Sequence, residues 1–416
     1  MFSLKIIGLI SFSISLLLLI LKTLECKNKK VMLIELPFYA FNFVFLNLWF
    51  LTTPIDLQDR NINDSVYLYI LIFNFSLLIF SLVNKNRFEK FSTNNIVEIK
   101  SQHKLTLIGF FAICIFFTLL FFQQKGLYIL GSNIEESRLQ SRAGSGYVLT
   151  FITRGLTLAI SIATLFYCKR KIPTNIYIML FFMVVMIQLL TGFRSFAVVT
   201  IIICYMTWSY TKRDFNITAV GKIAFSFVAV FFILTYYKFR NDILVGEDTL
   251  TVMLDYFNHR VLMELPRAIG ICIAYVNQIE LQYGKTFLEE LITLAPGRQF
   301  SLGDKLYMYS FGYRSGAIIT PLTPSVIGEA LINFSIFGVI LSAYVITKLF
   351  LLANKYIYRT KRVFLFCFLI NISFMFSNSL MLGFGNMITS RIVPLSVMLM
   401  MLLIMQFVFK NLKRIN

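Results

Sequence analysis

Long apolar runs, separated by polar connections, follow one another along the whole chain. A helix that crosses a bilayer needs roughly 20 mostly apolar residues, and about eleven runs approach or exceed that length. They are residues 2–21, 31–52, 66–83, 105–123, 147–168, 176–191, 195–210, 223–237, 324–352, 363–382 and 392–409. The pattern predicts an all-α, polytopic integral membrane protein in which residues 1–416 form a single membrane domain.

The composition agrees with this fold class. Hydrophobic residues make up 58% of the 416 residues, charged residues make up 14%, and the mean hydropathy is +0.76. A soluble domain of this length could not remove so much apolar surface from water, whereas about eleven spans would account for it.

Basic residues are concentrated in alternate connections between the apolar runs. These connections are residues 22–30, 85–104, 169–171, 212–222, 355–362 and 410–414. Basic loops stay on the cytoplasmic side of a membrane, so we predict that the connections between them lie outside. The N-terminus is then outside and the C-terminus inside. This topology explains the formal net charge of +19, and we predict no binding of nucleic acid.

Metal and cofactor chemistry lacks support in the sequence. The six cysteines are scattered and no C-x-x-C spacing occurs, which argues against a zinc site or a disulfide framework. Only two histidines are present. Walker A, G-x-G-x-x-G and G-x-S-x-G sequences are absent from the chain. We therefore predict no metal and no cofactor.

Arginines outnumber lysines in the outer connections, whereas lysines outnumber arginines in the inner ones. A guanidinium group binds phosphate or carboxylate through two parallel hydrogen bonds and loses less hydration energy than an ammonium group. The outer surface is therefore predicted to bind an anionic ligand. The alternative is that these arginines pair with loop carboxylates and lipid phosphates.

A tight outer turn joins the sixth and seventh predicted spans and contains Arg194. Gln188, Thr191 and Ser195 recur around it at helical spacing, which predicts a polar stripe below the arginine. The alternative for Arg194 is an arginine that reaches up to lipid phosphates.

The outer segment 238–323, between the eighth and ninth spans, is far longer than a connection needs to be. We predict a functional extracytoplasmic loop that contains short helices. Residues 261–275 are apolar but short and interrupted, so an interfacial or re-entrant helix is predicted there. The candidate ligand contacts in the loop are His259, Arg260, Arg267, Arg298 and Arg314. For each arginine alone, an ordinary solvated charge is the alternative.

The start of the ninth predicted span combines a helix signal with polar residues. Pro324 suits a first helical turn and Thr323 is a candidate cap. Ser325, Glu329 and Asn333 follow at intervals of four residues, which predicts a polar stripe along one helical face. A carboxylate in a membrane helix needs a partner, so Glu329 is either a catalytic base or the partner of an arginine.

Small and polar residues on the last three spans predict close helix packing. Gly328 and Gly338 would let neighbouring helices approach the ninth span. Asn371, Ser377, Asn378 and Asn386 predict another polar face, which runs toward Arg391 and which we interpret mainly as helix-to-helix hydrogen bonding.

Three sequence elements together resemble a known family. They are the outer turn TGFRS, a P-G-R element in the long loop, and PSVIGEALINFSIFG at the ninth span. This arrangement is similar to the O-antigen polymerase, or oligosaccharide repeat unit polymerase, family (Wzy-type). The resemblance is best over residues 185–200 and 285–340.

The resemblance implies a GT-C-like membrane glycosyltransferase that is inverting and independent of metal. It would polymerise undecaprenyl-pyrophosphate-linked oligosaccharide repeat units into O-antigen or capsular polysaccharide, on the outer face of a bacterial inner membrane. Arg194 would be catalytic, with Glu329 and His259 as candidate bases. The substrate contacts would be Arg298, Arg314, Arg260, Arg267 and Asn333. Expected partners are the lipid-linked oligosaccharide, membrane lipid and a chain-length regulator protein.

Two other functions remain open at this point. A flippase for lipid-linked oligosaccharides would also bind an anionic lipid, but internal repeats and cationic residues within many spans are typical of transporters. A ligase that moves the finished glycan to another acceptor would share the arginines and the long loop.

The bidentate hypothesis for Arg194 gives a direct test. Arg194→Lys is expected to impair function almost as much as Arg194→Ala, because a point charge cannot reproduce a two-bond contact. The measurement is the activity of both variants at equal protein level. Full activity of the lysine variant would favour the alternative, in which the arginine only reaches lipid phosphate.

Overall fold

A computed structural model describes residues 2–48, 60–84, 97–126, 146–191, 194–222, 225, 232, 249–294, 300–312 and 322–415 of the chain. Every regular element in these ranges is a helix, and they contain no β-strand. The helices, in chain order, are α1 (Phe2–Lys29), α2 (Leu36–Asn47), α3 (Arg60–Asn84), α4 (Ser101–Lys125), α5 (Val148–Cys168), α6 (Thr174–Leu190), α7 (Arg194–Lys212), α8 (Thr249–Phe257), α9 (Glu264–Gln278), α10 (Lys285–Ile292), α11 (Leu302–Phe311), α12 (Ser325–Arg359), α13 (Val363–Ser377), α14 (Ser379–Leu382) and α15 (Phe384–Asn411).

The hydropathy pattern correctly predicts a helical membrane protein. Six helices are long and apolar enough to cross a bilayer, namely α1, α3, α4, α5, α12 and α15. The helices α2, α6 and α13 are apolar but shorter, and each coincides with a predicted span. The eighth predicted span, 223–237, lies outside the described residues apart from two isolated positions. The total of eleven spans therefore stays a prediction.

The ninth predicted span is not one continuous helix, which corrects the sequence-based prediction. Within α12, Phe334 (φ −140°, ψ 17°) and Ser335 (φ 54°, ψ −144°) leave the helical conformation. The carbonyl oxygens of Ile332 and Asn333 accept hydrogen bonds from outside the helix (3.0 Å and 3.1 Å). The donors are the backbone N–H groups of the two residues directly before Gly284. The long loop thus supplies the hydrogen bonds for the carbonyl groups that the break leaves open.

The two arms of α12 meet closely at this break. A Cβ atom added to Gly338 would lie 2.3 Å from the carbonyl oxygen of Ala330, so no larger residue fits there. In an unbroken helix these residues would be more than two turns apart. The short arm, residues 325–333, is therefore turned against the start of the long arm, residues 336–359.

The helix start also differs in detail from the prediction. The element begins at Ser325, and the Ser325 hydroxyl accepts the backbone N–H of Gly328 at 3.0 Å. Pro324 occupies the N-cap position and makes no side-chain capping bond. Ser325, rather than the predicted Thr323, therefore supplies the capping oxygen.

The helix α9 packs against the short arm of α12. Its buried side chains are Leu265, Pro266, Ala268, Ile269, Cys272 and Ile273. A Cβ atom on Gly328 would lie 2.6 Å from the Cys272 sulfur, which confirms that this glycine permits close packing. Residues 261–275 were predicted to form either an interfacial or a re-entrant helix. The buried contacts of α9 fit the re-entrant alternative, in which protein encloses the helix, better than a helix that lies on the membrane interface.

This packing predicts that Gly328→Ala destabilises the protein. Overpacking costs about 1–3 kcal/mol, which exceeds the roughly 0.5–1 kcal/mol that alanine gains over glycine in a helix. Thermal unfolding in detergent would measure the difference. Gly221→Ala is the matched control, because a Cβ there has no atom of the described residues within 4 Å and stability should stay equal or rise. Equal stability of both variants would contradict the close contact.

Polar networks join the helices inside the bundle. Near the predicted cytoplasmic end, the Lys22 ammonium group lies 2.6 Å from Glu35, whose other oxygen accepts the Asn354 amide at 3.0 Å. The Tyr210 hydroxyl then donates to Asn354 at 2.7 Å. All four residues lie near helix ends that the charge pattern assigns to the same side, and the sidedness itself stays a prediction.

Candidate functional site

The carboxylate of Glu329 lies at the start of α15. The charge pattern assigns this end of the bundle to the side opposite the Lys22 network. Both of its oxygens accept the backbone N–H of Gly385 (3.1 Å and 3.2 Å), and one also accepts the N–H of Phe384. Gly383 has φ +80°, and a Cβ there would lie 2.7 Å from the carboxylate. A glycine-containing turn thus allows α15 to begin directly on the buried carboxyl group of Glu329.

A second buried carboxylate, that of Glu290 on α10, approaches the same turn. Its Oε1 accepts the backbone N–H of Leu302 at 2.8 Å. A Cβ atom on Gly385 would meet the Glu290 side chain and Glu329 Oε1 at the same distance of 2.8 Å. Gly385 therefore separates two carboxylates that are 3% and 1% exposed. The pair joins the long outer segment to the last span.

Burial raises the pKa of Glu290, and the nearby carboxylates of Asp304 and Glu289 add to the rise, while the Leu302 N–H and Lys305 oppose it. A carboxyl group whose pKa is raised on folding favours the protonated form in the folded state. Its contribution to stability is therefore present at low pH and is lost as pH rises from the usual value of 4.5 through the raised value.

We expect Glu290→Gln to flatten this pH dependence. The amide can still accept the Leu302 N–H, so the variant should match the parent near pH 4.5 and exceed its melting temperature at higher pH. Melting curves across pH would measure this. Lys285→Gln is the control on the same helix, because Lys285 is exposed and is not among the groups that shift the Glu290 pKa, so it should bring no such gain. A parallel pH profile for parent and Glu290→Gln would contradict the prediction.

Two arginines converge on one aromatic ring. The guanidinium carbons of Arg154 and Arg391 lie 5.6 Å and 4.7 Å from the centroid of Phe196, the third residue of α7. The Nε atom of Arg154 is buried and has no hydrogen-bond partner in the described part of the chain. Each arginine sits in a π-helical turn, Phe151–Gly155 or Ile388–Ile392, a feature that is frequent at functional sites.

The carboxylate pair and the arginine pair share the first turns of α15. Arg391 follows Phe384 by seven residues, which is roughly 10 Å along a helix. Phe196, in turn, follows Arg194 by two residues in α7. The first turns of α15 thus contact α10 at Gly385 and the ends of α5 and α7 near Arg391, and the charge pattern assigns all of these ends to the outside.

The structure describes some of the predicted site residues only in part. Arg298 and Arg314 lie outside the described residues. His259 and Arg260 lie in the π-helical turn Asn258–Met263 that precedes α9, and their side chains are outside the description. Arg194 begins α7, and its side chain is likewise not described. Their roles stay predictions.

Arg267 and Asn333 lie in different surroundings from each other. Arg267 is exposed on α9. Asn333 is buried, donates to Thr286 (2.6 Å) and to the Glu329 carbonyl (2.8 Å), and accepts the Gly284 N–H (2.9 Å). These bonds use both amide hydrogens of Asn333 and attach α10 to the short arm of α12.

The polar stripe predicted below Arg194 is a contact between helices. Gln188 is fully buried, donates to the Thr157 hydroxyl (3.0 Å) and accepts from the Thr200 hydroxyl (2.8 Å). The Thr191 hydroxyl donates to the Gln188 carbonyl (2.9 Å), and Ser195 is exposed. The stripe therefore stabilises the packing of α5, α6 and α7.

The partners of Glu329 among the described residues are backbone N–H groups. Within the described residues its carboxylate bonds to backbone N–H groups and forms no ion pair with an arginine. Arg154, Arg391 and Glu290 were not among the predicted site residues. The available signal for the two arginines was their place at the outer ends of apolar spans, whereas nothing in the sequence singles out Glu290.

The fold and this site define a helical membrane protein with paired cations and paired carboxylates at one end of its bundle. Comparisons with protein-family models, with curated proteins and with solved structures find no match to this chain. The resemblance to oligosaccharide repeat unit polymerases therefore rests on the sequence elements given above.

Proposed function

We propose that the protein is an inverting membrane glycosyltransferase. It polymerises undecaprenyl-pyrophosphate-linked oligosaccharide repeat units on the outer face of a bacterial inner membrane, for O-antigen or capsular polysaccharide. The observation that carries the proposal is the convergence of Arg154 and Arg391 on Phe196. Two guanidinium groups at one place in an apolar bundle are costly, and an anionic ligand would offset that cost.

A pyrophosphate fits the arginine pair by charge and by hydrogen bonding. The contact between a guanidinium group and an aromatic ring uses none of the N–H donors, so Phe196 can hold Arg154 while its Nε donor remains for a ligand. A guanidinium group binds phosphate oxygens through two parallel bonds. The buried Nε of Arg154 is one such donor.

The proposed reaction makes one bond and breaks one. A hydroxyl oxygen of the incoming repeat unit attacks the anomeric carbon of the growing glycan, and the bond from that carbon to the pyrophosphate oxygen breaks. The electron pair goes to the leaving pyrophosphate, where the arginines stabilise the developing charge. The hydroxyl proton goes to a base, for which Glu329 and His259 are the sequence candidates.

The contacts of Glu329 support a positioning role for this residue. Its carboxylate fixes the N-terminus of α15, the helix that carries Arg391. A shift of that helix would move the guanidinium group relative to the ring of Phe196. This leaves His259 as the candidate for direct proton transfer.

A defined substrate would test the function. Purified protein in liposomes would receive a single lipid-linked repeat unit, and the products would be separated by length. A ladder of products is expected for a polymerase. Transfer to a foreign acceptor would instead indicate a ligase, and movement of the lipid across the bilayer without transfer would indicate a flippase. Either of these two results, without a ladder, would overturn the proposal.

A further inference from the structure

The short helix α10 presents its apolar residues outward and its polar residues to the protein. Thr286 and Glu290 are 2% and 3% exposed, whereas Leu288, Leu291 and Ile292 are 63%, 46% and 52% exposed. A helix on a water-facing surface has the opposite arrangement, with the apolar face toward the core. The outward face of α10 therefore requires an apolar environment.

The position of α10 indicates what that environment is. The Gly284 N–H just before α10 bonds to Asn333, directly before the break in α12. The long arm of α12 then runs over residues 336–359, roughly 36 Å of helix, which is enough to cross a bilayer. The start of α10 therefore lies level with the start of a membrane span.

The exposed face of α10 continues into the exposed face of that span. Phe337, on the first turn of the long arm, is 77% exposed, and Phe334 at the break is 36% exposed. A Cβ atom on Gly284 would lie 3.7 Å from the Phe334 ring. An apolar surface thus extends from the long arm of α12 onto α10, and large exposed apolar surfaces mark interaction sites.

We propose that α10 is an amphipathic helix embedded in the outer leaflet of the bilayer, with Leu288, Leu291 and Ile292 among the lipid acyl chains. Helices of this kind place their apolar face roughly 5–10 Å into the boundary between headgroups and acyl chains. Lys285, exposed at the start of α10, is then close to lipid phosphates. The opposite face of the same helix holds Glu290 against Gly385, so the leaflet supports one wall of the candidate site.

Lipid contact can be measured at single positions. Leu288→Cys and Leu291→Cys would each carry an environment-sensitive fluorophore in protein reconstituted into liposomes. Spin-labelled lipids report contact with acyl chains, and aqueous iodide reports contact with water. Glu280→Cys, an exposed polar position before α10, is the matched control. The parent chain gives the labelling background, because its six cysteines are buried.

We expect a blue-shifted emission and strong loss of fluorescence with spin-labelled lipid at Leu288→Cys and Leu291→Cys, but not at Glu280→Cys. A spin label near the headgroup end of the acyl chain should quench more than one at the chain end. Quenching of both leucine positions by iodide would place the face in water and overturn the proposal. Protection from both quenchers would show that protein covers the face and would also overturn it.

The result does not depend on the proposed enzymatic activity. The labelled variants should melt at the temperature of the parent, because both leucines are exposed and their replacement removes little internal packing. Lipid contact together with failure of the polymerisation assay would refute the proposed function and leave this inference standing.

Discussion

Lysine in place of Arg154 or Arg391 is expected to lower the rate of polymerisation by roughly 10²- to 10³-fold, the loss typical of removing one donor from a developing anionic charge. Lysine keeps the positive charge but offers a point contact in place of the planar fork, so it cannot restore two parallel bonds to a phosphate. The measurement is the initial rate of ladder formation from a defined lipid-linked repeat unit. Arg170→Lys, at an exposed position on the predicted cytoplasmic side, is the matched control and should keep full activity.

Stability separates a ligand-binding role of the arginines from a structural one. Arg154→Gln loses a cation–π contact worth about 0.5–2 kcal/mol, but it also removes one of two like charges near the same ring. The two effects oppose each other, so we expect a change in unfolding free energy within about 1 kcal/mol while activity is lost. A variant that loses activity only in proportion to its stability would show that the arginines serve packing.

The membrane fold could be predicted because the bilayer restricts what the chain can do. A span must bond its backbone groups internally and must be apolar for about 20 residues, so hydropathy alone marks its position. The helices α1, α3, α4, α5 and α15 follow that rule and match the predicted runs. The close packing at Gly328 was also predictable, since few residues other than glycine allow such an approach.

The break in α12 could not be predicted from local sequence. Phe334 and Ser335 lie in an apolar run, and neither proline nor glycine occurs at the break to signal it. The bonds that satisfy the open carbonyls come from backbone N–H groups about fifty residues earlier in the chain. Local patterns carry no information on a partner at that distance, so the pattern indicated a continuous span.

The candidate site shows the same limit. Arg154 and Arg391 each look, in sequence, like an arginine at a span end that reaches lipid phosphate. Only the packing of three helices shows that they meet at Phe196. Sequence also indicated that Glu329 needs a partner, and in the described part of the chain that partner is the backbone of a glycine-containing turn more than fifty residues later.

We expect Glu329→Ala to be severely destabilising. The substitution leaves the buried N–H group of Gly385 and the partly buried N–H group of Phe384 without an acceptor, at a cost of up to about 1–3 kcal/mol each. It also leaves a cavity beside Glu290. A total loss of roughly 2–5 kcal/mol is large for a single substitution and would be measured as reduced yield and a lower melting temperature. Glu289→Gln, which breaks a partly exposed ion pair, is the control and should cost less than about 1 kcal/mol.

Glu329→Gln distinguishes the two roles that the sequence left open. One carboxylate oxygen already accepts from both Phe384 and Gly385, so a single amide oxygen can replace it. As a positioning residue, Glu329 should therefore tolerate glutamine, with near-parental stability and less than about a tenfold loss of turnover. A stable variant that still binds lipid-linked substrate but forms no product would contradict this expectation, because it would show that the carboxylate itself takes the acceptor proton.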